Sequence, residues 1–194
     1  MGLDEDWFRA INTGWANPAL DPIMVALSIA GSFAVLLWVL PLWFSGRKAR
    51  SFDLLLALLM ALVLTTAVKY AVGRPRPEDI LAGVRIVSVP SWFVESDPAF
   101  PSGHVARVAA LAAILFLILP GWKFAIPLAA FVALEAVSRI YVGAHWPTDV
   151  VAGAVLGILI GVAIWRLGRV DGYVRLRAAA LRTVGVSAVP EGRP

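Results

Sequence analysis

The chain has 194 residues, of which 60% are hydrophobic and 15% are charged, and its mean hydropathy is +0.81. This composition excludes an ordinary soluble domain and predicts an integral membrane protein whose apolar blocks form one helical bundle. Cysteine is absent, which excludes a disulfide framework, thiolate chemistry and cysteine-ligated metals. The net charge of +4 does not indicate nucleic acid, because most basic residues cluster at one end of the predicted spans.

The predicted fold is an all-α, polytopic transmembrane bundle. Residues 1–20 are too polar to cross a membrane and are predicted to form an interfacial amphipathic segment, with Trp7, Phe8, Ile11 and Trp15 on one side. Residues 21–168 are predicted to be the transmembrane domain, and residues 169–194 a basic tail. The five predicted spans lie at about 23–44, 54–72, 102–119, 124–142 and 148–167.

Five crossings place the two chain ends on opposite faces of the membrane. One face collects ten of the seventeen basic residues, namely Arg47, Lys48, Arg50, Lys123 and the six arginines from Arg166 to Arg193. The positive-inside rule makes that face, and therefore the C-terminus, cytoplasmic. The opposite, outer face is expected to be periplasmic or extracellular.

Three polar clusters are predicted to meet at the outer face. They read "KYAVGRPRP" from residue 69, "FPSGHVAR" from residue 100 and "SRIYVGAHWPTD" from residue 138, and they contain both histidines of the chain. Ionisable residues near or within spans are costly, so their convergence from four spans is a functional-site hypothesis by default.

The charges and backbone features of these clusters suit an oxyanion. Lys69, Arg76 and Arg139 are cations with few acids nearby, as a phosphate site requires. Ser102 is predicted to cap the third span, and Gly103 permits close backbone approach, so free N–H groups and the positive end of a helix dipole face the same site. We call these five residues the anion cradle.

The spacing of His145 and Asp149 adds chemistry to the cradle. At i and i+4 they can share a helical face, so the carboxylate can accept a hydrogen bond from one ring nitrogen while the other attacks phosphorus. His104, from another span, is positioned to protonate the leaving oxygen and later to deprotonate the attacking water.

The three clusters resemble the signature of the type 2 phosphatidic acid phosphatase (PAP2) superfamily, which is KxxxxxxRP, then PSGH, then SRxxxxxHxxxD. Every defined position is filled in this sequence, from Lys69 to Asp149. The resemblance implies that His145 is the nucleophile, Asp149 its orienting partner and His104 the general acid. It further implies that the residues of the cradle bind phosphate and that no metal or other cofactor is needed.

By this resemblance the protein is expected to be a membrane lipid phosphatase acting through a phosphohistidine. A polyprenyl pyrophosphate such as undecaprenyl pyrophosphate is the favoured substrate, followed by phosphatidylglycerol phosphate and phosphatidic acid. The alternatives are a lipid or sugar phosphotransferase with the same chemistry, and a catalytically silent headgroup binder or transporter. The expected partners are the lipid substrate and the bilayer, without nucleic acid. Small-residue spacing at Gly153, Gly157 and Gly161 favours helix packing within the bundle, with homo-oligomerisation second.

Several positions leave alternatives open. Arg74 lacks the family spacing from Lys69, so it is a substitute phosphate ligand, a rim residue or a headgroup contact. Arg139 follows Glu135 at i+4, and an ion pair inside the bundle is its simplest structural role. Arg107, one turn beyond His104, is expected to snorkel to the interface rather than to support the site. Family members commonly have six spans, so the first span is expected to be missing here or replaced by the interfacial segment.

Overall fold

The computed structural model describes residues 2–87 and 95–186, except for the side chains of residues 33 and 34. The C-terminal residues 187–194, including Arg193 of the predicted basic tail, lie outside the described ranges. Within these ranges the fold is entirely helical, which confirms the predicted fold class. The α-helices are α1 (Leu3–Asn12), α2 (Asp21–Ala30), α3 (Val39–Phe44), α4 (Lys48–Val72), α5 (Pro77–Ile80), α6 (Gly103–Ile118), α7 (Trp122–Tyr141), α8 (Pro147–Leu167) and α9 (Asp171–Thr183), with a 3₁₀ helix at Phe33–Trp38.

Helix α6 is the centre of the bundle. It packs most extensively against α8 and also contacts α4 and α7. The glycine series of α8 faces it: a Cβ atom would lie 2.5 Å from the Ser102 carbonyl oxygen if added at Gly153, and 2.2 Å from the Ala106 carbonyl oxygen if added at Gly157. Packing within the bundle therefore accounts for the small-residue spacing, because these glycines let the two backbones approach closely.

The span count of five is not confirmed. Three segments are long and apolar enough to cross a membrane, namely Lys48–Ile80, Trp122–Tyr141 and Pro147–Leu167. The first predicted span is instead a pair of helical segments, Asp21–Ala30 and Val35–Phe44, bent by 57°, which makes a fourth if the pair is one span. The third predicted span is the apolar helix α6, whose 16 residues reach about 24 Å, less than the roughly 30 Å of a hydrocarbon core.

Helix α1 docks on the bundle rather than lying wholly in an interface. Phe8 and Ile11 are buried in an apolar cluster with Trp146, and the Phe8 and Trp146 ring centroids are 5.5 Å apart. Trp7 and Trp15, predicted to share their side, are more than half exposed. The apolar stripe of the segment is thus divided between protein contacts and the outside of the molecule.

The two ends of the bundle differ in what they hold. Helix α9 packs near the start of α4, where Tyr173 Oη donates to Asp53 Oδ1 at 2.7 Å and Arg177 also pairs with Asp53. Helix α1 lies at the other end, where α4 ends and α6 and α8 begin; we call this the site end. The two termini of the described chain therefore lie at opposite ends of the bundle.

Candidate active site

The three sequence motifs meet at the site end. Lys69 lies in the last turn of α4, Arg76 precedes α5, His104 lies in the first turn of α6, Arg139 lies in the last turn of α7, and His145 lies just before α8. All five side chains are buried. The backbone thus brings together the cations and histidines that the sequence motifs selected.

A residue outside the motifs lies at the centre of this group. The Glu95 carboxylate is 3.0 Å from Arg76 Nη1, 2.8 Å from Arg139 Nη2 and 2.8 Å from His104 Nδ1. His145 Nε2 lies 3.5 Å from the same carboxylate. Burial raises the pKa of Glu95, but the charge of Arg139 and the hydrogen bond from His104 outweigh it and hold this pKa well below its ordinary value of 4.5.

A second acid, Asp97, neutralises the neighbouring cations. Its carboxylate lies 2.8 Å from Lys69 Nζ and accepts a hydrogen bond from Arg76 Nη2 at 2.7 Å. Arg76 Nε also donates to the Asp97 carbonyl oxygen at 2.8 Å. The motifs contain few acids near these cations, so neither Glu95 nor Asp97 was predicted. Their only signal in the sequence is the pair of carboxylates in "VESDP", just before the PSGH motif.

His145 faces two carboxylates through its two ring nitrogens. Nδ1 lies 3.5 Å from Asp149 Oδ2, longer than an ordinary N–H···O hydrogen bond, and Nε2 faces Glu95. Neither nitrogen makes a hydrogen bond to any described residue. One ring nitrogen thus lies towards Asp149, and the other lies towards Glu95 and the cations that contact it.

Asp149 is held by the start of α8 and by Arg74. Its Oδ2 accepts a hydrogen bond from the Trp146 N–H at 2.9 Å, and its Oδ1 accepts one from Arg74 Nη1 at 2.6 Å. Arg74 also pairs with Asp4 of α1. Arg74 therefore lies on the far side of Asp149 from His145, and it affects the site by positioning Asp149.

The PSGH turn supplies the start of α6. Ser102 precedes the helix and its N–H donates to the Asp149 carbonyl oxygen at 3.0 Å, which ties α6 to α8. Its hydroxyl is buried and makes no hydrogen bond within the described part of the chain. Arg107 is 7% exposed, and a Cβ atom at Gly103 would lie 3.4 Å from its Nη1. The expectation that Arg107 snorkels was therefore wrong: it lies beneath the PSGH turn, close to the site.

The Arg139 side chain does not donate a hydrogen bond to the carboxylate of Glu135, which lies one turn earlier in α7. It donates to Glu95 and to Ser28 of α2. Neither oxygen of the buried Glu135 carboxylate accepts a hydrogen bond from a described residue. The i+4 pair therefore does not account for the position of Arg139.

The family comparison agrees with this geometry. A model of the PAP2 superfamily matches residues 50–172, which include all three motifs. The chain belongs to the PAP2 superfamily. Over 162 residues this PAP2 protein is 32% identical to the undecaprenyl-diphosphatase of Sulfolobus acidocaldarius, covering 81% of this chain and 74% of the relative. It is 31% identical to the undecaprenyl-diphosphatase BcrC of Bacillus subtilis over 168 residues, covering 84% and 83% of the two chains.

A solved structure shares the fold as well. The crystal structure of Aquifex aeolicus LpxE superposes with a TM-score of 0.74 at 29% identity, covering 86% of this chain and 96% of that one. Together these likenesses identify the protein as a membrane lipid phosphatase of the PAP2 family.

An apolar groove runs along the bundle from the site end. It is a cavity of about 620 Å³ between α6, α7 and α8, and its described lining consists only of Ala, Val, Leu, Ile and Phe side chains. At the site end it is bounded by Ala136, one turn before Arg139, and by Val150, which follows Asp149. From Val150 to Val162 the groove follows α8 for about 18 Å.

Proposed function

We propose that this PAP2 protein removes the terminal phosphate from a polyprenyl pyrophosphate, such as undecaprenyl pyrophosphate, at the outer face of the membrane. The observation that carries the proposal is the convergence of both histidines with Arg76 and Arg139 around a single anionic group. The relatives named undecaprenyl-diphosphatase support the choice of substrate.

In the proposed reaction, His145 and His104 share the chemistry. His145 Nε2 forms a bond to phosphorus while the P–O bond to the lipid phosphate breaks, and the His104 imidazolium transfers its proton to the departing oxygen. Neutral His104 then removes a proton from a water that attacks phosphorus. The P–N bond breaks, its electron pair returns to Nε2, and inorganic phosphate leaves.

The remaining residues act by charge and orientation. Arg76, Arg139 and Lys69 stabilise the oxygens of the transferring phosphoryl group, where positioned charges provide most of the rate in such reactions. Asp149 keeps Nδ1 of His145 on its own side, so that Nε2 is the nitrogen presented to phosphorus.

We propose that the lipid chain of the substrate lies in the groove between α6, α7 and α8. The groove begins beside residues adjoining Arg139 and Asp149, so a chain attached to a phosphate in the cradle can enter it directly. Among the described residues its lining offers no hydrogen-bonding side chain, which suits a hydrocarbon, and its many alanines leave room for one.

The first experiment measures phosphate release by purified protein in detergent with EDTA, over undecaprenyl pyrophosphate, phosphatidylglycerol phosphate and phosphatidic acid. We expect fastest release from the pyrophosphate and loss of release in His145→Ala and His145→Gln. Release that survives both substitutions would contradict the proposed nucleophile. Release only after addition of a hydroxyl acceptor would favour a phosphotransferase.

A second experiment tests the groove with two neighbouring alanines of α7. Ala133 lines the groove, whereas Ala130 is exposed on the same helix and does not. We expect Ala133→Phe to lower kcat/KM about tenfold for undecaprenyl pyrophosphate, since filling the groove removes roughly 1–2 kcal/mol of chain binding. The same variant is expected to keep its rate on isopentenyl pyrophosphate, whose chain is too short to need the groove, and Ala130→Phe is expected to retain both rates. Equal losses on both substrates would place the chain elsewhere.

A further inference from the structure

The position of Glu95 has a consequence for how the site works when it is empty. One carboxylate contacts Arg76 and Arg139 of the cradle and His104, and it faces His145. These four groups are the ones assigned to hold, attack and protonate the phosphoryl group. The Glu95 side chain is itself only 20% exposed, so it lies within the site rather than across its mouth.

A phosphoryl group and the Glu95 carboxylate require the same donors. Each is an anion whose oxygens accept charge-assisted hydrogen bonds from guanidinium N–H groups, and two anions sharing one such set of donors repel each other. The Glu95 carboxylate lies 2.8–3.0 Å from nitrogens of Arg76, Arg139 and His104, so its oxygens occupy the space between these groups that phosphoryl oxygens would need.

Resting on the function proposed above, we infer that Glu95 is an internal substitute for phosphate: its carboxylate occupies the cradle of the empty enzyme, and the substrate binds by displacing it. Glu95 is then a residue that sets the affinity of the enzyme for phosphate and for its substrate.

There is a physical reason for Glu95 to occupy the phosphate position when the site is empty. Buried cations without a counterion are strongly destabilising, and Arg76 and Arg139 are 4% and 2% exposed. The carboxylate neutralises them until substrate arrives. Because the pKa of Glu95 is held well below its ordinary value, the group is an anion throughout the neutral range and competes as one.

Asp97 does not share this role. It contacts Lys69 and Arg76 but none of the other groups around Glu95 in the ion pairs of the described chain. When Glu95 withdraws, Asp97 still holds Lys69 and one edge of the Arg76 guanidinium. The two acids therefore have different roles. Asp97 holds Lys69 and Arg76 in place, and Glu95 occupies the position of the phosphate.

The test measures binding of inorganic phosphate, the product, to purified full-length protein in detergent by isothermal titration calorimetry. If Glu95 occupies the cradle at least nine-tenths of the time, removing its charge by Glu95→Gln lowers the apparent Kd for phosphate about tenfold or more. The KM for the lipid substrate is expected to fall with it. Without phosphate, Glu95→Gln is expected to melt at a lower temperature than wild type, and added phosphate is expected to restore the Tm.

Two further variants make the result decisive. Glu78→Gln removes a carboxylate that is exposed at the same end of the bundle and is expected to leave phosphate binding unchanged. Glu95→Asp keeps the charge on a shorter side chain, tests the inference if the Gln variant does not fold, and is expected to give an intermediate Kd.

Unchanged phosphate affinity in both Glu95 variants, with a lower kcat, would overturn the inference and make Glu95 a positioning residue for His104. Phosphate binding needs no turnover, so this measurement stands apart from the test of the nucleophile. Activity retained by His145→Ala would refute the proposed reaction without altering the phosphate titration.

Discussion

Two arginines separated by a single proline serve different groups in this site. Arg76 contacts Glu95 and Asp97, whereas Arg74 contacts Asp149, Thr148 and Asp4. The second Arg-Pro pair of the first motif is thus explained: Arg74 supports the partner of the nucleophile and does not join the cations around Glu95.

Arg74→Gln is expected to lower kcat about tenfold with little change in KM, since residues that orient a reacting group through a hydrogen bond are worth roughly 10- to 100-fold. Arg76→Gln, in contrast, removes a phosphate contact and is expected to raise KM as well as lower kcat. Steady-state kinetics with undecaprenyl pyrophosphate separates the two patterns. A raised KM with an unchanged kcat in Arg74→Gln would make Arg74 a headgroup contact.

The pH dependence of kcat/KM is expected to be bell-shaped. The proposed reaction needs His145 neutral when it attacks and His104 protonated when it donates, so kcat/KM is expected to fall at both ends of the profile. Glu95 does not produce the acid limb, because its pKa is held well below 4.5 and it remains ionised across the histidine range. The check is a profile from pH 5 to pH 9 for wild type and Glu95→Gln. A flat profile would contradict the two histidine roles.

The contact between α6 and α8 fixes the positions of the reacting groups. Helix α6 carries His104 at its start, and α8 begins just after His145. The N–H of Ser102 donates to the carbonyl oxygen of Asp149, so the two helix starts are joined directly. A change in the spacing of these helices therefore moves the two histidines relative to each other.

Gly157→Ala tests this coupling, because its Cβ atom would lie 2.2 Å from the Ala106 carbonyl oxygen of α6. We expect a loss of about 1–3 kcal/mol in stability, as for other overpacked positions, together with reduced kcat. The control is Gly172→Ala in α9, where an added Cβ atom meets nothing within 4 Å and is expected to stabilise the helix by up to about 1 kcal/mol. Thermal melts in detergent measure both. Equal Tm values for the two variants would show that α6 and α8 tolerate separation.

The sequence predicted the long helices well and the interrupted ones poorly. Spans four and five correspond to α7 and α8, because continuous apolar runs bounded by Gly and Pro report a helix directly. The bend within 23–44 was missed since apolar composition does not change there. It lies beside Gly31, where an added Cβ atom would be 2.2 Å from the Glu135 carboxyl carbon, a contact made only in the folded bundle.

Across the bundle, the motifs predicted which residues would meet but not how their charges are neutralised. Lys69, Arg76, His104, Arg139 and His145 do converge at one end of the bundle. Their counter-charges come from a connecting segment, and no rule of spacing links a loop acid to cations on α4, on α7 and just before α5. The contacts of Glu95 and Asp97 with these cations are visible only in the folded chain, as is the contact of Arg74 with Asp149.

The orientation of the molecule in the membrane is predicted from its basic residues. Single cysteines report it cleanly, because the wild type has none. Ala82 is exposed at the site end, and Ser45 is exposed just before α4 at the opposite end. We expect a membrane-impermeant maleimide added to intact cells to label Ala82→Cys and to leave Ser45→Cys unlabelled until the cells are opened. The reverse pattern would place the active site in the cytoplasm.

The shortness of α6 affects how the chain is made. A ribosome delivers α6 to the membrane before α8 has been synthesised, and α6 carries His104 and Arg107 on only 16 residues. A helix this short and charged is a poor substrate for insertion by itself. The stable position of α6 in the bilayer therefore depends on α8, which is synthesised later. A chain truncated after α7 is expected to be recognised by membrane quality-control proteases.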